Sequence, residues 1–194
     1  MTAPTHVAIG MAASIVLARV NGLPFSALDL LIVVIGSLAP DIDSDDGSIV
    51  RPGKILRRFL TKGIADFVDG ISKTIASLIK FIFGHRGFFH WPLFGAALYM
   101  GGLILELNWL MWFGWAYLWH ILADFCTVSG VPFYGPFVTR KVAWSSLRTG
   151  SLSERLLALP IWLSVFILGW PLLPEQTRYW LTKFFSMLFP GVSG

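Results

Sequence analysis

Five apolar stretches, at about residues 5–20, 25–40, 89–106, 109–126 and 155–172, constrain this chain more than any other feature. Each is expected to form a helix that spans a membrane. Crossing the hydrocarbon core normally takes about 20 residues, so most of these helices are a little short and would run into the headgroup region or thin the bilayer. Composition agrees: 55% of the 194 residues are hydrophobic and 13% charged, with a mean hydropathy of +0.69, which excludes an ordinary soluble domain. The fold class expected is all-α, an integral membrane helical bundle of about five spanning helices with one or two amphipathic interfacial helices. It forms one domain over residues 1–194.

The breaks between spans follow from residue chemistry. Asn21, Gly22 and Pro24 separate the first two, Pro40 closes the second, and Glu106 to Asn108 turns the third into the fourth. Trp109, Trp112, Trp115 and Trp119 load the fourth span with the aromatics expected near membrane interfaces. Residues 51–83 alternate charge and apolar side chains, with Lys62, Asp66, Asp69, Lys73 and Lys80 among them, and are expected to lie on the membrane surface as an amphipathic helix or helix pair. Residues 175–189 read as a weaker surface segment at the C-terminal end, and 127–153, with Gly130, Pro132, Gly135 and Pro136, as largely loop. The N-terminal stretch has no basic region before its apolar run, and Arg19 follows it, so it is expected to stay as the first helix rather than act as a secretory signal.

Five spans put the N-terminus and loops 41–88 and 127–154 on one side. That side holds twelve of the fifteen Lys and Arg, against Arg19, Arg178 and Lys183 on the other, so by the positive-inside rule it is cytoplasmic. The formal charge of +4 carries little further meaning, because membrane proteins are often basic for topological reasons alone. The single cysteine, Cys126, excludes an intramolecular disulfide and a multi-cysteine zinc site, and is expected to be a core thiol. No phosphate-binding or dinucleotide-binding glycine motif occurs, and no nucleic-acid partner is expected.

The same topology brings His6, Asp41, Asp43, His85, His90, His120 and Asp124 to the cytoplasmic side, with all four histidines of the chain in the set. Ionisable groups at membrane depth are costly, and function is the first reading for them. His120 and Asp124 are four apart and share a helix face, as a ligand pair or as a structural pair inside the bundle. Asp41 and Asp43 follow the Pro that ends a hydrophobic helix, on a turn able to aim both carboxylates; Asp45 and Asp46 read as a solvated acidic loop. His85 and His90 flank a Gly-containing turn, as ligands or as hydrogen-bonding structural residues. Arg86 suits an anionic substrate through its bidentate guanidinium, or a lipid headgroup.

Thr-His at the N-terminus, L-A-P-D-I-D, G-H-R-G-x-x-H and H-I-L-A-D followed by T-x-x-G-V-P resemble the family of predicted bacterial inner-membrane metal-dependent hydrolases that includes YdjM and YbcI. The match runs in order from about residue 2 to 137. The resemblance implies His6, Asp41, Asp43, His85, His90, His120 and Asp124 as metal ligands. Phe89 stands where that family usually has Thr or Ser before the second His of its H-R-G motif, so a hydroxyl is missing there.

Mixed imidazole and carboxylate ligation implies one or two divalent ions, zinc first, with manganese or iron also compatible. A metal there would lower the pKa of a water and polarise a phosphoryl or acyl oxygen. The expected function is a membrane-bound metal-dependent hydrolase in the bacterial inner membrane, acting on a lipid or lipid-linked phosphoester, with membrane lipids as its partners. His85, Arg86 and Asp124 are its expected catalytic residues, Arg86 steadying the anion. Two other classes accommodate the same cluster: a membrane scaffold with a structural metal, and an ion or metal transporter. A transporter should also carry ionisable groups at the midplane and the far side, where only Asp29 and Glu106 lie toward that half.

Overall fold

In the computed structural model, the described residues are 1–43, 61–83, 87–173 and, beyond these, 175, 176, 178, 179, 182 and 183. They form six α-helices, short 3-10 turns and no strand. Helix α1 spans Ala3–Asn21, opens with Pro in its first turn and stops at Gly22, whose φ of 61° only glycine adopts cheaply. Helix α2, Ala27–Leu38, starts at a reciprocal cap: the Asp29 N–H donates to Ser26 Oγ at 3.2 Å, and the Ser26 N–H donates to Asp29 Oδ2 at 2.7 Å. Asp29 is thereby a capping residue.

A 3-10 turn, Ala39–Asp43, follows α2 directly. Helix α3 covers Lys62–Phe83, and a second 3-10 turn, Phe88–His90, leads into α4, Pro92–Ile104. Helix α5 covers Asn108–Phe125 and α6 Leu152–Gly169. Between them the chain is largely loop, as expected, pinned by isolated bridges between Thr127 and Leu147 and between Val131 and Val142. The expected surface segment 175–189 lies largely outside the described residues, as does 51–60 of the first surface segment.

The expectation of five spans needs correction. Among the described residues, two segments are long and apolar enough to cross a membrane, Ala3–Asn21 and Leu152–Leu172. Hydropathy sees apolar side chains but not where the backbone turns. Pro40 and its neighbours wind the end of the second stretch into the 3-10 turn, and the third stretch spends its first two residues, Phe89 and His90, on another, Phe88–His90. That leaves 12 residues for α2 and 13 for α4, roughly 18 and 20 Å of helix at 1.5 Å per residue, short of the ~30 Å hydrocarbon core. Helix α5 has 18 residues, but its Asn, His, Asp and tryptophans lower its hydropathy.

Helix α5 is the centre of the packing: α1, α2 and α4 lie against it, and α6 joins through α1. Its buried side chains fill both apolar cores, Met111, Trp112 and Ala116 packing with Ala18 and Val33, and Tyr117 and Ile121 with Val131. Two glycines set the closeness of approach. A Cβ on Gly36 would lie 2.6 Å from the Phe113 carbonyl oxygen, and one on Gly114 would run into the backbone of Leu98 and Tyr99. Helix α3 packs against the turn Ala39–Asp43. Ala65, Asp69 and Ala76 are buried on α3, while Ile64, Phe67, Ile71, Ile75 and Leu78 form an exposed apolar stripe.

Candidate metal centre

The helix pattern brings four elements to one end of the bundle. His6 closes the first turn of α1, Asp41 sits in the 3-10 turn after α2, His90 at the end of the 3-10 turn before α4, and His120 and Asp124 one turn apart near the C-terminal end of α5. His6, His90, His120 and Asp124 are wholly buried, while the Asp41 side chain keeps 21% of its surface exposed.

One potential donor atom from each of Asp41, His90, His120 and Asp124 lies within 4.8 Å of the others, close enough for a single cation to touch all four. The pairwise distances are even. Asp41 Oδ1 is 3.7 Å from His120 Nε2 and 3.8 Å from His90 Nε2, and Asp124 Oδ2 is 4.0 and 3.9 Å from the same two nitrogens. His6 lies just outside this group, its Nε2 3.2 Å from Asp124 Oδ1. The Met1 ammonium also contacts Asp124 Oδ1, so this carboxylate already accommodates a positive charge.

His120 shows how a ring is oriented for such a role. Its Nδ1 lies 2.7 Å from the Ser37 carbonyl oxygen, which can only accept, so Nδ1 carries the proton. The lone pair is then on Nε2, buried, with no hydrogen-bond partner among the described residues and aimed at Asp41 and Asp124. His90 is held from its backbone: the Tyr117 hydroxyl donates to the carbonyl of Phe89, the residue before it, and the His90 N–H donates to Gly87 O at 2.9 Å. The short Gly87 turn makes that possible. Where the related motif carries a hydroxyl, Phe89 packs edge-on against Phe88 and Phe94 instead.

Of the seven expected ligands, the fold brings five together: His6, Asp41, His90, His120 and Asp124. Asp43 ends the same turn as Asp41, but its side chain, like His85 and Arg86, lies outside the described residues. The donor set present, imidazole nitrogens and carboxylate oxygens around an inward-facing Nε2, fits a divalent transition metal better than magnesium or calcium. Sequence reasoning missed the Ser37 carbonyl, which has no side-chain signal. It also missed Glu154, which is wholly buried and hydrogen-bonded to the start of α1. The only trace of Glu154 in the sequence is the Ser151-x-x-Glu154 spacing of a helix cap.

No curated protein and no solved structure matches the chain. The model of the YdjM inner membrane protein family does, over residues 1–193, a span that reaches beyond the motif-bearing part of the chain to take in α6 and Glu154. The chain therefore belongs to the YdjM inner membrane protein family.

Proposed function

We propose that this protein is a membrane-bound metal-dependent hydrolase that cleaves a phosphoester of a lipid or lipid-linked substrate. The observation that carries the reading is the group of Asp41, His90, His120 and Asp124, with the Nε2 of His120 turned inward by the Ser37 carbonyl. These four residues would hold one divalent ion, zinc before manganese or iron. Such an ion supplies Lewis-acid polarisation of a phosphoryl oxygen and a more acidic water. Asp41, the one partly exposed member, marks the side from which a substrate enters. Asp124 touches His6 and faces both His90 and His120, which makes it the residue that orients the group. His85 and Arg86 precede His90 in the chain; His85 completes the catalytic set, and Arg86 binds the phosphate through its guanidinium.

A lipid rather than a soluble phosphoester is favoured by an apolar groove of about 440 Å³ along the seam of α1 and α5. Ile9, Ala12, Ala13 and Val16 line one side, Trp115 and Trp119 the other. One end of the groove lies at the level of the centre along the two helices, Ile9 being one turn past His6 on α1 and Trp119 next to His120 on α5. An acyl chain in this groove would hold its headgroup at the level of the ligand cluster. The basic residues of 51–86 and 140–155, which follow the ligand-bearing ends of α2 and α5 in the chain, favour the cytoplasmic side for that end.

A structural metal in a membrane scaffold is the second reading, favoured by the complete burial of His90, His120 and Asp124. Purified protein decides between them. Stoichiometric metal, together with release of phosphate or a phosphorylated headgroup from phospholipid vesicles, both lost in His120→Ala, supports the hydrolase. Stoichiometric metal without turnover supports the scaffold, and a metal-free wild type overturns both.

A further inference from the structure

We propose that Glu154, at the start of α6, is a positioning residue of the metal centre, acting through the first turn of α1 on His6. The proposal rests on the metal-binding reading above. Glu154 is wholly buried, and its carboxylate is met by neutral donors. The Thr2 N–H donates to Oε1 at 2.5 Å and the Thr2 hydroxyl to the same oxygen at 3.0 Å, while the Gly150 N–H donates to Oε2 at 2.6 Å. The Thr5 hydroxyl is within 2.8 Å of that of Thr2 and joins the network.

Such a carboxylate is costly to bury unless its charge is answered. Here two helix N-termini answer it. Glu154 lies in the first turn of α6, and the Thr2 N–H it binds precedes the first turn of α1, so the positive ends of both helix dipoles face one negative group. A residue needed only to cap its own helix would not reach across to another. The Ser151 hydroxyl already accepts the Glu154 N–H at 3.3 Å, as a local cap does.

The path from Glu154 to the centre is short. Thr2 is held on both sides: its N–H and hydroxyl by Glu154, and its carbonyl by the N–H groups of Thr5 and His6, at 3.0 and 3.1 Å. Fixing Thr2 therefore fixes how the first turn of α1 is rotated and tilted. His6 leaves that turn to meet Asp124 at 3.2 Å and to stack on His120. Release of Thr2 lets the turn fray, and the His6 ring loses its place beside the ligand group. Outer residues that orient metal ligands typically contribute a factor of about 10 to 100 in metal affinity.

The test is a double-mutant cycle on the purified full-length chain, read as zinc affinity by competition with a chelator and as the visible spectrum of the cobalt-loaded protein. Glu154→Gln is expected to weaken zinc binding about 10-fold and to alter the cobalt spectrum, with Glu154→Asp recovering part of the loss. In a His6→Ala background the same substitution is expected to change affinity by less than about 2-fold, because the residue it acts through is gone. Thr2→Val, which deletes one hydroxyl and leaves the backbone donor, provides a milder variant should Glu154→Gln fold poorly; a several-fold loss is expected. Unchanged zinc affinity in Glu154→Gln or Thr2→Val, or an equal loss with and without His6, overturns the proposal and leaves Glu154 a structural cap. A wild-type chain that binds no zinc or cobalt instead overturns the metal centre on which it rests.

Discussion

The imidazoles of His6 and His120 lie face to face, ring centroids 3.7 Å apart and planes 13° from parallel. One ring comes from α1 and the other from α5, so the stack is an interhelical contact as well as part of the site. Both present an Nε2 edge to the same carboxylate, His6 at 3.2 Å from Asp124 Oδ1 and His120 at 4.0 Å from Asp124 Oδ2. Each ring limits the tilt of the other. The two histidines nonetheless have different standing, because His120 is within the four-residue group and His6 is beside it.

That difference predicts graded losses. His120→Ala is expected to remove stoichiometric metal, an affinity loss beyond about 100-fold, whereas His6→Ala should retain metal with affinity lowered roughly 10-fold. Elemental analysis of the purified variants after dialysis against a weak chelator checks both. Equal losses would place His6 among the ligands.

Tyr117 is wholly buried on α5 and its hydroxyl holds the Phe89 carbonyl, next to His90. Tyr117→Phe keeps the ring packing and deletes that bond. A stability loss of about 1 kcal/mol is expected, with metal affinity falling several-fold because His90 is less firmly held. Thermal melts with and without zinc separate the two effects: the zinc-dependent rise in Tm should shrink in the variant.

The contact of α4 with α5 leaves no room for a side chain at Gly114, where a Cβ would meet the backbone of Leu98 and Tyr99. Gly114→Ala is expected to destabilise by about 1–3 kcal/mol, the usual cost of overpacking. Gly70→Ala is the contrasting case. It sits in α3 with nothing within 4 Å of a new Cβ, so stabilisation of roughly 0.5–1 kcal/mol is expected. Tm values in one detergent decide both signs.

On α3 the exposed apolar stripe and the exposed charged positions lie on different faces, as on a helix at the membrane surface. An environment-sensitive dye on Ile71→Cys in a Cys126→Ser background should be quenched by lipids carrying brominated acyl chains. The same dye on Lys73→Cys should not be. Equal quenching at both positions would contradict an interfacial placement.

The residues that the fold draws together stand out in the sequence more than the helix boundaries do. His120 and Asp124 stand out because an ionisable group in an apolar stretch is costly to keep unless a partner or a function holds it there, and Asp41 because it follows a helix-ending proline. Glu154 was not legible. It begins a helix with an ordinary serine cap, and its partners on Thr2 are 152 residues away. The helix count failed for a different reason: apolar residues such as Ala39 and Phe89 add to hydropathy whether they lie on a spanning helix or, as here, on a 3-10 turn.

Because the ligand group draws on the turn after α2, the turn before α4 and α5, with His6 of α1 beside it, it is assembled in the order of synthesis. A growing chain carries His6 and Asp41 long before Asp124 exists, and Thr2 receives its partner Glu154 later still. A chain halted before α5 has no centre at all. A metal held by these four residues would therefore be captured only once α5 has been made, and would report that the turn after α2 and the turn before α4 have met α5.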